Sequence, residues 1–314
     1  MSDYATYLLG GPDGYTGHAD EWGAICLDLD LLAGPDVLLP LLEAGTRTPV
    51  DWGADDFVQS GVLADPGRKV LLFFAVEGPA ASSRTRAAFL AMLGHAWPGW
   101  EVRWAHDGQA DLRRYLGEPV EDHGHPIFSF EGSAIGPDDR TLTLADPPTT
   151  VVTIGADRCH VLTDIVDLAV AGGSGLLGRL DDAPRHEAYR TYAQGGIHID
   201  PEHRRVGWWL SGTHEYVRTP AAAWEGWTVE FWGDRWWEQT RASGGRFDPP
   251  VPDRAAALAE VRDEALRYWT GSRNGDPAGV IALAGLSQVA CLTARQAPAA
   301  RAAIERAHAA AAGL

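Results

Sequence analysis

The sequence predicts an α+β protein: two related units, each a small, mostly antiparallel sheet with helices on one face, plus a helical C-terminal segment. Three observations predict it. Segments in the two halves repeat one another in order and chemistry, and each repeat reads as strand, turn, strand, helix, strand. After Asp248-Pro249-Pro250-Val251-Pro252 the pattern becomes helical. The implied organisation is a first unit over 1–117, a linker with a short hairpin over 118–148, a second unit over 149–248 and a helical segment over 249–314. At 314 residues and 45% apolar content the chain is long enough for one or two cores, and disorder is excluded as its main state.

The elements follow in chain order. Ala24 to Leu31 alternates Leu27, Leu29 and Leu31 and reads as a strand; Gly34-Pro35-Asp36 then opens a helix through Leu42. Gly61 to Asp65 is a strand that turns at Asp65-Pro66, because proline sets φ and aspartate bonds the backbone ahead of it. Val70 to Phe74 returns, completing a hairpin. A helix from about Ser82 places Phe89, Met92, Leu93 and Ala96 on one face. Gly99 stands where a helix ends, and Trp100 opens a strand with Val102 and Trp104 on one side.

The second half repeats this with Gly196 to Asp200-Pro201, then Val206 to Leu210, a shorter helix from Thr219 to Trp224, Gly226, and a strand from Trp227. Arg68-Lys69-Val70 is matched with Arg204-Arg205-Val206. From the aspartate to the second tryptophan the spacing shrinks from 35 residues to 27. Thr150 to Ile154 is a strand, and Leu162 to Ala171 is strand or helix. The stretch 118–148 is rich in Pro, Gly, Asp and His, with a short hairpin at Thr141 to Leu144. In the C-terminal segment Leu258, Val261, Ala265 and Trp269 share a helical face, and 11 alanines in the last 21 residues suggest a frayed end.

Charge and composition narrow the function. The net charge of −17, from 26 basic and 43 acidic residues, disfavours nucleic acid and anionic membranes. No apolar run approaches the roughly 18 residues of a membrane span. Met1-Ser2-Asp3-Tyr4 carries no basic region ahead of an apolar core, so no signal peptide is expected. Cys26, Cys159 and Cys291 lie more than 130 residues apart, without metal or disulfide spacing, which fits a cytoplasmic protein. Lys69 is the single lysine beside 25 arginines, so Schiff-base chemistry would rest on a turn residue.

Several motifs invite chemistry. Gly173-Ser174-Gly175-Leu176-Leu177-Gly178 fits GxGxxG, with Asp200 22 residues beyond Gly178. Pro184 would break the following helix, and Asp200 is already accounted for by the repeat, so no cofactor is expected here. Asp28-Leu29-Asp30 resembles the first motif of haloacid-dehalogenase-type phosphatases, but Leu31 and Leu32 stand where that family has Gly-Thr. An amphipathic strand accounts for the two aspartates. Asp122-His123-Gly124-His125, with His160, His186 and His203, supplies ligand types without a metal spacing, so no metal is expected. His106-Asp107 lacks a nucleophile motif.

Thirteen tryptophans are the compositional outlier. Trp97, Trp100, Trp104, Trp224, Trp227 and Trp232 belong to the repeat and are assigned to its core. Trp236 and Trp237 are adjacent, about 100° apart on a helix, and hard to bury together. With Asp234 and Glu238 they form the candidate binding residues, an aromatic contact beside carboxylates. The chain resembles tandem two-unit proteins of GC-rich bacterial genomes, on its two Gly-x-x-x-Asp-Pro hairpins and two Trp-x-Gly-Trp strands; the resemblance implies no activity. In style it is similar to toxin-neutralising immunity proteins. The expected function is a cytoplasmic acidic protein that recognises another protein, in an immunity-type or regulatory role. The alternative is an enzyme or small-molecule-binding protein of bacterial specialised metabolism, with a pocket between the units.

Overall fold

A computed structural model describes residues 4–12, 14–20, 23–45, 52, 58–120, 134–136, 149–163, 166–213, 223–270 and 287–313. The chain divides into a first unit formed by 1–120 with 252–314, and a second formed by 121–251.

In the first unit the Asp65-Pro66 turn organises the sheet. Asp65 accepts the Arg68 amide at 2.9 Å, and Lys69 takes φ +53°, so strands β3 (Val58–Asp65) and β4 (Val70–Ala75) pair antiparallel with Asp65 opposite Val70. Strand β1 (Tyr4–Gly11) runs parallel to β3 and antiparallel to β2 (Gly14–Asp20). β5 (Glu101–Trp104) runs parallel to β4, giving the order β2-β1-β3-β4-β5. Two of these four pairings are parallel, so the expectation of a mostly antiparallel sheet is corrected to a mixed one. The reason lies in the connections. Helices α1 (Leu27–Leu31) and α2 (Pro35–Gly45) cross over between β1 and β3, and α3 (Arg86–Ala96) between β4 and β5.

The segment Ala24 to Leu31 is also corrected. A short 3-10 turn (Gly23–Ile25) leads into helix α1, not a strand. Leu27, Asp28, Leu29 and Leu31 are all buried, and a helix covered on every side loses the periodicity that would distinguish it from a strand.

Both faces of the sheet are covered, where the sequence predicted one. Val62, Ala64, Leu71 and Phe73 pack with α1, α2 and α3, while Leu63, Leu72 and Phe74 pack with Leu112 of α4 (Gln109–Leu116) on the other face. The C-terminal helices join the first of these cores. Leu258, Val261, Ala265 and Trp269 of one helix (Arg254–Trp269) meet Ala300, Ile304, Ala307 and Ala311 of the last (Ser287–Ala312) in the same cluster as Phe89 and Leu93. The alanine-rich end is therefore a packed helix instead of a frayed one. Small side chains allow close helix approach, and Arg254 closes the pair by donating to the Ala311 carbonyl at 2.7 Å.

The second unit has the sheet order β11-β10-β9-β7-β8-β6. β6 (Ala134–Ile135) and β7 (Thr150–Ile154) both pair antiparallel with β8 (Arg158–Leu162), and β7 runs parallel to β9 (Gly195–Asp200). β9 is antiparallel to β10 (Arg205–Leu210), with Asp200 opposite Arg205, and β10 is parallel to β11 (Thr228–Phe231). This sheet is mixed as well, and helices again lie between the parallel strands β7 and β9 in the chain. The expected match of Val70 with Val206 is one residue out, since it is Arg205 that faces Asp200. Helices α5 (Val166–Ala171) and α6 (Gly175–Arg179) cover one face with Val152, Ile197 and Trp208. Val151, Val161, Trp209 and Phe247 lie on the other, beside α7 (Trp236–Ala242). The C-terminal helices of the first unit are α8 (Arg254–Trp269) and α9 (Ser287–Ala312).

No helix among the described residues is long and apolar enough to cross a membrane. The expected hairpin at Thr141 to Leu144, the helix from Thr219 up to residue 222, and Asp122 to His125 lie outside the described residues.

Candidate functional site

β11 leaves its sheet through Trp232, whose amide donates to the Trp208 carbonyl at 2.7 Å and whose indole lies against Gly207. Any Cβ at Gly207 would overlap that ring. Gly233, at φ +64°, turns the chain into α7. This places Asp234, Trp236, Trp237 and Glu238 within one loop and one helical turn.

Gln239 holds the helix down. It is fully buried and sits on Gly196, where any side chain would collide with its amide. Its Nε2 donates to the Val151 carbonyl (2.9 Å), the Ile197 carbonyl (2.9 Å) and Thr153 Oγ1 (3.1 Å), and its Oε1 accepts from Trp209 Nε1 (2.6 Å). Thr153 Oγ1 lies 3.0 Å from His198 Nδ1. The Thr153 hydroxyl also reaches the Ile197 carbonyl at 3.4 Å, so the network joins β7 to β9. Sequence reasoning passed over this network. The available signal was a Gln three residues after Trp236, on the same helical face.

With Gln239 facing the sheet, the two tryptophans separate. Trp236 packs partly into the cluster of Trp209, Phe247 and Tyr189. Trp237 is 43% exposed; with Val251 it makes up the large apolar side chains exposed among the described residues. The two indoles meet edge to face at 5.9 Å. Glu238 is held by Arg241 (2.8 Å) and Arg235 (3.6 Å), and Asp234 is half-buried in the turn. The Glu238 carboxylate is thus matched by arginines, and the surface beside Trp237 carries both signs of charge.

Replacing Trp237 by Ala is expected to lower stability by about 1 kcal/mol or less, and Trp236 by Ala by about 2–3 kcal/mol, since only the second opens a cavity. Urea denaturation of the two variants compares them directly.

The other candidate groups have structural partners. Gly173 takes φ +60° at the end of α5 and lets the Ala223 carbonyl approach, so the first glycine of the GxGxxG pattern serves a backbone contact. Arg114 pairs with Asp107 and with Asp111. His160 Nδ1 meets the Pro184 carbonyl at 2.8 Å, His186 Nε2 the Ile135 carbonyl at 2.8 Å, and His203 Nδ1 the Asp200 carboxylate at 2.8 Å. No group of three His, Cys, Asp or Glu side chains converges on a metal position among the described residues. Burial pushes the Cys159 thiol up to about 12, so it is not a thiolate at neutral pH.

Burial holds the His198 imidazole below its ordinary range, against the pull of Asp200. The unfolded chain then takes up a proton that the folded unit resists. The contribution is complete above about pH 6.5 and is lost as pH falls below that value. Protection of the second unit's strands in hydrogen exchange, corrected for intrinsic rates, is expected to fall between about pH 7.5 and about pH 5.5, with a shallower fall in His198→Asn.

Comparison with protein family models, curated proteins and solved structures finds no match.

Proposed function

We propose that the chain is an acidic cytoplasmic binding protein that recognises a basic protein partner through the Trp237 face of α7, in a role of immunity or regulatory type. The observation that carries this is the exposure of Trp237 on a helix anchored from beneath by Gln239. An indole already fixed in place offers contact area at low ordering cost, which is what interface anchors require. The net charge of −17 supplies long-range attraction for a cationic surface and repels a second copy of the chain. Arg235, Glu238 and Arg241 then act as a polar rim.

We further propose that the two units are copies of one ancestral unit. Taking β1 with β7, β2 with β8, β3 with β9, β4 with β10 and β5 with β11, five strands correspond in order and direction. Asp200 accepts the His203 amide at 3.1 Å as Asp65 accepts that of Arg68, and Arg204 takes φ +50° as Lys69 takes +53°. Gly99 and Gly226 share φ +77°. Trp97 donates to the Leu31 carbonyl at 2.7 Å and Trp224 to the Val170 carbonyl at 2.9 Å. In this correspondence Gln239 and Trp209 stand where Leu112 and Phe74 stand in the first unit.

The binding reading is tested by placing a photo-crosslinking amino acid at position 237 in producing cells. A discrete protein adduct at 237, absent at exposed Arg204, is expected, and its yield should fall at high salt. Absence of any adduct specific to 237 overturns the reading.

A further inference from the structure

Helix α1 brings two carboxyl groups against the C-terminal helices. Asp28 is 2% exposed, and its Oδ2 accepts the Ala80 amide at 3.1 Å. Gly78, at φ +80°, lies so close that a Cβ there would overlap the carboxylate, so the loop after β4 wraps around Asp28. From α8, the Tyr268 hydroxyl hydrogen-bonds Asp30 and Trp269 Nε1 donates to the Leu29 carbonyl at 3.4 Å. Glu264, one turn before Tyr268, adds its negative charge to the surroundings of Asp28.

We propose that the α1–α8 contact is a proton-operated latch: a proton held among Asp28 and Asp30 keeps the C-terminal helices docked, and its loss loosens them. The groups around the pair come from every packed element. Tyr7 on β1 and Cys26 ahead of α1 are near Tyr268, and Glu264 and Tyr268 belong to α8. On α3, the Arg86 guanidinium donates to the Ala80 carbonyl at 2.6 Å and lies over the Trp104 ring at 4.0 Å. Ionising Asp28 therefore buries a charge beside Glu264 and Asp30, where like charges oppose it.

The direction in pH follows from burial, which raises Asp28 to about 7 and also raises the half-buried Asp30. The folded chain keeps protons that an unfolded chain releases above about pH 4. The latch is tightest below about pH 4, loosens as pH rises toward about 7, and changes little beyond about one pH unit above that. This is the opposite sign to His198 in the second unit.

Hydrogen exchange of the full chain, corrected for intrinsic rates, tests the latch. Opening of α8 and α9 is expected to rise about tenfold between about pH 6 and about pH 8.5, with β3 and β4 unchanged. Asp28→Asn keeps an oxygen for the Ala80 amide and removes the charge, so it should abolish this rise. Equal opening at both pH values, or an unchanged rise in both Asp28→Asn and Asp30→Asn, overturns the proposal. Should the variants not fold, carboxyl carbon resonances of the wild-type chain decide. A midpoint near 7 for one of the two aspartates supports the latch, and midpoints near 4 for both refute it.

Discussion

Gln239→Ala is expected to cost the second unit about 3 kcal/mol or more, because it strips Trp209 Nε1 and the Val151 and Ile197 carbonyls of a buried partner at once. The loss should appear as a lower denaturant midpoint and as faster amide exchange in β7 and β9. A sharper outcome is expected from two substitutions together. In the correspondence of the units, Leu112 and Phe74 fill the places of Gln239 and Trp209. Gln239→Leu alone leaves the indole N–H unpaired, whereas Gln239→Leu with Trp209→Phe removes both ends of the bond. The double variant should recover part of the loss, since replacing both partners by apolar groups is far milder than orphaning one. A double variant worse than the sum of the singles would count against the network and against the correspondence.

Trp97→Ala and Trp224→Ala are each expected to cost about 3–5 kcal/mol, the range for deleting a fully buried aromatic side chain. Their similarity is the informative part. Each indole donates to the carbonyl of the helix that follows the first hairpin, Leu31 or Val170. Each also meets a second tryptophan edge to face, Trp100 at 4.8 Å or Trp227 at 5.3 Å. Trp97→Phe and Trp224→Phe keep most of the apolar volume and lose the hydrogen bond, so both should cost less than the alanine variants and nearly the same as each other. Chemical denaturation followed by exchange mapping assigns each loss to its unit. A large loss at one position and none at the other would mean that the two indoles do different work.

The hairpins, the third strands and helix α3 were legible because their signals are local. An Asp-Pro turn is written in adjacent residues, and Phe89, Met92 and Leu93 keep their period because α3 buries one face. The reading failed where burial is complete. Leu27 to Leu31 looks like a strand when only leucine alternation is counted, yet Asp28 between them is buried too. The candidate residues divided in the same way. That Trp236 and Trp237 would not share one environment followed from helical geometry alone. Which of them faces solvent depended on Gln239, whose partners lie 30 to 88 residues away in sequence.

By itself, then, the sequence determined the turns, most strands and the net charge. These depend on φ preferences, side-chain period and net charge, which act over a few residues or over the whole chain without regard to fold. The tertiary structure alone decided the parallel pairings, the helices on both sheet faces, the return of α8 and α9 into the first core, and the meeting of Asp30 with Tyr268. Each of these joins residues far apart in the chain, and the free energy that selects them, burial of apolar area with every enclosed polar group partnered, exists only once the elements have met.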